Sequence, residues 1–301
     1  MRCILTTEWT ETDPKRIAQR AQLVETLRGY HRVAVAFSGG IDSTVVTQAA
    51  YEALGDAAIA ITAVSESLAA GELQEAQQLA QRIGIHHRVI YTEEFANPDY
   101  RRNDSDRCYF CKSELYGRLS GMMVHLGVDV IASGANIDDM GDYRPGLRAA
   151  SEYGVRHPLQ ECNLTKSDVR ALARGWGLPT WDKPASPCLS SRVAYGEDAT
   201  PERVQMIDQA EQWLRQHGLR TLRVRYHKGD MARIEVPVDD LPRFADSELR
   251  TALITTFHVL GFKFITLDLE GFRSGSMNSV IPVESLLRGV VGYDARQVTR
   301  V

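Results

Sequence analysis

An alternation in the first half of the chain constrains its fold most. "RVAVAF" (32–37), "AAIAITAV" (57–64), "HHRVIY" (86–91) and "VDVIASG" (128–134) read as strands. The first two lack polar alternation, as strands covered on both faces do. Helical patterns lie around them: 13–30, a helix capped by Asp42 or Ser43 and running to Leu54, 70–84 stopped by Gly84, 112–127, and 165–177. In the last, Thr165 caps and Asp168 completes a capping box. This rhythm predicts an α/β fold, a doubly wound, mostly parallel sheet wrapped by helices. It ends in the Pro-rich 178–197. A helix (201–217), a hairpin (221–227 and 231–236), a helix (about 243–260) and a strand (263–269) follow. They predict a smaller C-terminal α+β domain, with boundaries at 1–180, a 181–200 linker carrying Cys188, and 201–301.

The 301 residues exceed what one core usually fills, in keeping with two domains. A net charge of −4 gives no support for a nucleic-acid face. No apolar run is long enough to cross a bilayer, and the N-terminus turns polar too early for a secretory signal, so a cytoplasmic protein is expected. Five cysteines, Cys3, Cys108, Cys111, Cys162 and Cys188, form an odd set that argues against a disulfide scaffold. In a reducing compartment, close cysteines point to metal or catalysis.

"AVAFSGGIDSTVV" (34–46) joins a strand to a helix through Ser38-Gly39-Gly40. Glycines there let bare backbone approach a ligand, and N–H groups of the following helix point back at the turn. Such a cluster of donors binds anions, above all phosphate. Ser38 and Ser43 add hydroxyls. Asp42 would repel phosphate unless Mg²⁺ lay between them. The loop lacks the Lys of G-x-x-x-x-G-K-[ST] and also lacks G-x-G-x-x-G, which disfavours γ-phosphoryl transfer and dinucleotide binding. The plain alternative is a capped tight turn.

"SGGIDS" resembles the pyrophosphate loop of the N-type ATP pyrophosphatases, which cleave ATP between its α- and β-phosphates and adenylate a substrate oxygen. That resemblance implies an adenine nucleotide α-hydrolase-like PP-loop domain, with ATP and Mg²⁺ as cofactors. It puts pyrophosphate at Ser38, Gly39, Gly40, Asp42 and Ser43, and adenosine beside Thr62 and Val64 in "TAVSESL". "SGANIDDMGDYRPG" (133–146) resembles the segment facing the triphosphate, bringing in Asn136 and Arg144, with Asp138 or Asp139 joining Asp42 at Mg²⁺. A solvated turn is the plain reading of that acidic run.

Three further stretches narrow the family. "RCYFCKSELY" (107–116) holds Cys108-x-x-Cys111, "PCLSSRVAYGE" (187–197) holds Cys188, and "DDMGDYRPGLRAA" (138–150) holds Arg144 and Arg148. With "LRVRYHKGDMARIEVP" they resemble the LarE family from about residue 13 to about 285. The resemblance implies an ATP-dependent sulfurtransferase acting on pyridinium-3,5-biscarboxylic acid mononucleotide, in synthesis of the nickel-pincer nucleotide of lactate racemase. It also implies a homo-oligomer, a hexamer made of trimers. Adenylation turns a poor leaving group into AMP, which a thiolate can displace. In one branch of the family the sulfur is that of the linker cysteine, here Cys188. In another, three cysteines, here Cys108, Cys111 and Cys188, hold a [4Fe–4S] cluster whose open iron carries sulfide. An incidental or redox pair is the plain reading of C-x-x-C.

The substrate's phosphate and carboxylates call for cations. Arg223 and Arg225 share one strand face at period two, and Arg192 follows Cys188 closely. Glu211 and Glu235 match substrate-pocket positions of the family and also read as surface acids. His86, His87, His157 and His227 read as structural, and Trp176 and Trp181 as packing anchors. Two rivals remain at this point. One is another ATP pyrophosphatase, either an amide former like NAD or GMP synthetase or a tRNA thiolase. The other is a nucleotide sensor without catalysis.

Overall fold

The computed structural model describes residues 12–141, 145–184 and 186–273. Its elements in chain order are α1 (Pro14–Arg28), β1 (Val33–Ala36), α2 (Ile41–Leu54), β2 (Ala58–Val64), α3 (Glu72–Ile83), β3 (His86–Tyr91), α4 (Pro98–Arg101) and α5 (Arg107–Leu126). Then come β4 (Val130–Ala132), α6 (Pro145–Glu152), α7 (Pro158–Glu161), α8 (Lys166–Gly175), α9 (Pro201–Gln216), β5 (Arg223–His227), β6 (Met231–Glu235), α10 (Ser247–Leu260) and β7 (Phe264–Leu267).

The chain divides into two compact units. Within the described residues the first holds 12–65, 71–92 and 111–186, and the second 66–70, 93–110 and 187–273. Two stretches from inside the 1–180 range therefore pack with the second unit. Their hydrogen bonds show why. The Ser67 carbonyl accepts from Leu189 N at 2.9 Å, and the Arg101 carbonyl from Ala199 N at 2.8 Å.

In the first unit the sheet runs β3-β2-β1-β4, and every neighbouring pair is parallel. Central β1 is registered Val33↔Ala58 on one side and Val33↔Val130 on the other. Val33 and Val35 of β1, Leu23 and Leu27 of α1, Val45 and Ala49 of α2, and Leu172 of α8 are buried in one core. Each large aliphatic side chain so buried contributes about 1.5–3 kcal/mol. Successive connections step from β1 to β3 on one side, and β4 then lies on the other side of β1. The order thus reverses between β1 and β4, and in such sheets ligands bind beyond the carboxyl ends of the strands at that point.

Gly84 ends α3 in the left-handed conformation, and α8 has the Thr165–Asp168 capping box. Two helix starts differ from expectation. Gly40, not Asp42 or Ser43, is the N-cap of α2, and no side chain caps it. Both side chains are engaged elsewhere, as described below. Helix α5 starts at Arg107, so Cys108 and Cys111 lie within its first turns, one turn apart.

In the second unit the sheet order is β5-β6-β7. The β5–β6 pair is antiparallel and β6–β7 parallel. Gly229 and Asp230 take positive φ in the hairpin turn, at 81° and 56°. Val204, Ile207 and Leu214 of α9, Val224 and Ile234 of the hairpin and Phe257 of α10 are all 0% exposed and supply the core. No helix of the described residues is long and apolar enough to cross a membrane.

Candidate functional site

The turn after β1 is wrapped on itself. Ser38 N donates to Ser43 Oγ at 3.2 Å, Gly40 N to Ser38 Oγ at 3.3 Å, and Ser43 Oγ to the Gly40 carbonyl at 3.0 Å. The two hydroxyls lie 3.1 Å apart. Gly39 has φ 70°, where L side chains are strained. A Cβ there would also touch Ala76 of α3 at 3.4 Å. With Gly40 as cap, no side chain caps the first N–H groups of α2.

The loop after β4 closes on this turn. A Cβ on Gly134 would lie 2.6 Å from Ser43 N, so only glycine permits the approach. Asn136, 2% exposed, organises the rest. Its Nδ2 donates to Asp42 Oδ1 at 3.1 Å, its Oδ1 accepts from Asp138 N at 3.0 Å, and its N donates to Asp139 Oδ2 at 3.0 Å. The other Asp42 oxygen is paired with Lys166 Nζ, and Lys166 N donates to Asp138 Oδ2 at 2.8 Å. Ser38, Gly39, Gly40, Asp42, Ser43, Asn136 and Asp138 thus come together, with Lys166 and Gly134 as members that sequence reasoning missed. Lys166 sits between the recognised cap Thr165 and Asp168, which was the signal available. Arg144 lies outside the described residues, as does Cys3.

Thr62, 2% exposed at the end of β2, donates its hydroxyl to the Phe37 carbonyl at 2.8 Å. Its one proton being spent there, the 2.8 Å contact with His87 Nε2 has the imidazole as donor. Val64 gives its carbonyl to Thr92 N at 3.0 Å. His157 Nδ1 lies 2.7 Å from Ser133 Oγ at the end of β4. Burial pushes His87 and His157 below the ordinary imidazole range. His87 and His157 therefore support the crevice as neutral hydrogen-bonding groups. Asp42 and Asp138 offer hard oxygen ligands, which suit Mg²⁺ held by one or two carboxylates and the nucleotide's phosphates.

The second unit carries Cys188 at the start of a 3-10 turn, Leu189–Arg192. Arg192 reaches back from that turn, with Nη1 donating to the Cys188 carbonyl at 3.0 Å and to the Pro187 carbonyl. Its Nε donates to Glu211 Oε1 at 3.2 Å, and Arg215 donates to Glu211 Oε2 at 2.7 Å. Arg225 donates to the Ser191 carbonyl and to Glu235 Oε2, each at 3.0 Å, and Arg233 to Glu235 Oε1 at 3.1 Å. Glu211 and Glu235 are both 0% exposed, so the surface-acid reading of them is corrected. The three arginines are interior as well, at 4%, 6% and 2% for Arg192, Arg223 and Arg225.

Arg223 differs from its neighbours. Among the described residues no carboxylate pairs with it, and its guanidinium lies 4.6 Å above the Phe272 ring. Burial, followed by the charges of Arg225 and Arg192, brings its pKa down to about 10. A buried cation lacking a counter-ion is held at a cost, and an anionic ligand removes that cost.

The described residues contain no group of three or more His, Cys, Asp or Glu side chains placed to hold a metal ion. Cys108 is exposed and Cys111 and Cys188 are intermediate, while buried Cys162 bonds Thr26 Oγ1 at 3.3 Å.

A protein-family model described as asparagine synthase matches residues 20–103, the stretch with the glycine turn and the first three strands. Fold and turn together define an ATP pyrophosphatase of the PP-loop class. The chain is 40% identical over 267 residues to the pyridinium-3,5-bisthiocarboxylic acid mononucleotide synthase of Lactiplantibacillus plantarum, covering 87% of this chain and 95% of that one. It belongs to the LarE family and is an ATP-dependent sulfurtransferase. An uncharacterized protein of Synechocystis sp. is 48% identical over 250 residues, 83% of this chain and 93% of that one. A tRNA-specific 2-thiouridylase of Beijerinckia indica is 31% identical over 191 residues, covering 50% and 44%.

Proposed function

We propose that this protein adenylates a carboxylate of pyridinium-3,5-biscarboxylic acid mononucleotide, releases pyrophosphate, and converts the carboxylate to a thiocarboxylate. The observation that carries the reading is Arg223, a buried cation that forms no ion pair with a carboxylate among the described residues, in the same unit as Cys188 and its anchor Arg192. A substrate bearing a phosphate and two carboxylates supplies the missing charge. Arg192 and Arg225 orient it while Glu211 and Glu235 hold those guanidiniums in place.

In the other unit Ser38, Gly39, Gly40 and Ser43 take the pyrophosphate, Lys166 turns from Asp42 to the phosphates, and Thr62 and Val64 border the adenosine. Asp42 and Asp138 would hold Mg²⁺, which would supply charge neutralisation at the phosphates. The chain's own residues then position the carboxylate and the sulfur. The Cys188 sulfur attacks the acyl-adenylate carbonyl, a C–S bond forms, and AMP leaves with the C–O electron pair. A base removes the Cys188 α-proton, the Cβ–S bond breaks, and the thiocarboxylate departs with that pair. Dehydroalanine stays in the chain.

The test mixes protein, ATP, magnesium and the dicarboxylated pyridinium mononucleotide at stoichiometric scale. AMP, pyrophosphate and thioacid are expected, with loss of one sulfur and two hydrogens from the intact protein mass. ADP as product, or AMP with no thioacid, would refute the reading. Thioacid with unchanged protein mass would remove Cys188 as the donor and leave sulfur transfer standing.

A further inference from the structure

The turn that carries Cys188 is gripped by a pair of residues without an assigned role, Asn103 and Arg107. Asn103 is 0% exposed and sits at φ 57°, a left-handed position rare outside glycine. Its Nδ2 donates to the carbonyls of Val193 at 3.2 Å, Ala194 at 2.9 Å and Glu197 at 3.0 Å. Its Oδ1 accepts from Arg107 Nη1, and the same nitrogen donates to the Ser190 carbonyl at 2.8 Å. Tyr100 adds a 2.7 Å contact to Ser190 Oγ. Four carbonyls between residues 190 and 197 are thus bound by two adjacent side chains, while Arg192 binds the carbonyl of Cys188 itself.

Arg107 is 6% exposed, and among the described residues it has no ion pair with a carboxylate. Buried arginine is nearly always paired, so its retention calls for a reason. Burial opposes its charge. Cys188, Cys108, Tyr100 and Tyr195 favour it when they are ionised, and the net shift is upward.

We propose that Arg107 is a positioning residue for sulfur transfer. Through Asn103 and the Ser190 carbonyl it fixes the Cys188 turn, and so the place where the sulfur meets the activated carboxyl. The inference rests on the sulfur-transfer reading above. Both hydrogens of one Arg107 nitrogen serve acceptors in the guanidinium plane, a geometry that the tetrahedral ammonium of lysine does not reproduce. A reacting atom misplaced by about 1 Å reacts about 100-fold more slowly.

The test uses full-length Arg107→Lys and, as a second variant, Asn103→Gly, which keeps the left-handed backbone and removes the amide. Three quantities are read: pyrophosphate release, thioacid formed per pyrophosphate, and amide exchange across residues 189–197 by mass spectrometry. In both variants thioacid per pyrophosphate falls about 100-fold. Exchange in 189–197 speeds about tenfold, and pyrophosphate release stays near the wild-type rate. Wild-type thioacid yield with wild-type exchange would overturn the proposal. So would pyrophosphate and thioacid falling in step, which marks a merely structural role. Should the wild-type protein itself make no thioacid, the sulfur-transfer reading fails and the positioning role falls with it. Exchange would then report only whether the Asn103–Arg107 clasp is real.

Discussion

Arg223 shows how a residue proposed to bind substrate can oppose the stability of its own fold. Its charge is buried and crowded by Arg225 and Arg192, Glu235 and Glu211 offset this only in part, and among the described residues no carboxylate forms an ion pair with it. Replacing such a group by an apolar side chain of similar length removes a desolvation penalty. Arg223→Met is therefore expected to gain about 1 kcal/mol in urea denaturation while losing thioacid formation. An equally active variant, or one that melts well below wild type, would show that Arg223 is structural. Glu235 is the converse case. It accepts from two guanidiniums, and its removal leaves Arg225 with the Ser191 carbonyl and Arg233 with Asp268 as acceptors among the described residues. These roles were only half legible. Period two put Arg223 and Arg225 on one face, but their burial depends on which residues they meet across the hairpin. The register sets Arg223 opposite Glu235 and Arg225 opposite Arg233, and a single strand's sequence does not state its register. Lys166 was hidden for a like reason, since its partner Asp42 lies 124 positions away.

The alternation of strands and helices was readable because each parallel strand is an apolar run and each helix keeps its own period. Helix starts were less readable where tertiary contacts override local capping. Asp42 is held by Asn136 and Lys166, and Ser43 by the glycine turn, so neither caps α2. Two expectations concern elements directly. Gly134→Ala forces the β4 loop away from the start of α2, because a Cβ would meet Ser43 N at 2.6 Å. Its expected result is a lower melting temperature and a weakened calorimetric signal for ATP binding. Unchanged ATP affinity would mean that the two loops do not act together. Asp168 joins α8 to α1 by accepting from Arg16 as well as capping with Thr165. Burial alone would raise its pKa. The Thr165 and Arg16 hydrogen bonds outweigh burial and hold the carboxyl well below the usual range. A depressed folded pKa gives stability that is present above the unfolded value and lost as pH falls toward the folded one. Wild type should thus exceed Asp168→Asn by about 1 kcal/mol from pH 7 down to about pH 4, with the gap closing only below that. A gap that closes at higher pH would contradict the assignment.

Across the molecule, the two compact units divide the proposed chemistry, one carrying the glycine turn and the other Cys188 with its arginines. That division predicts separable steps. Cys188→Ala should still release pyrophosphate when given the pyridinium substrate, yet form no thioacid, as followed by phosphate release and mass spectrometry. Normal thioacid yield from that variant would move the sulfur elsewhere. The buried charge of Arg223 carries a further meaning inside a cell. A ligand that binds only the folded form raises its stability by mass action, so the vacant protein is the one most often open to proteases. Its lifetime would then lengthen when substrate is plentiful and shorten when it runs out, making abundance follow demand without any dedicated regulator.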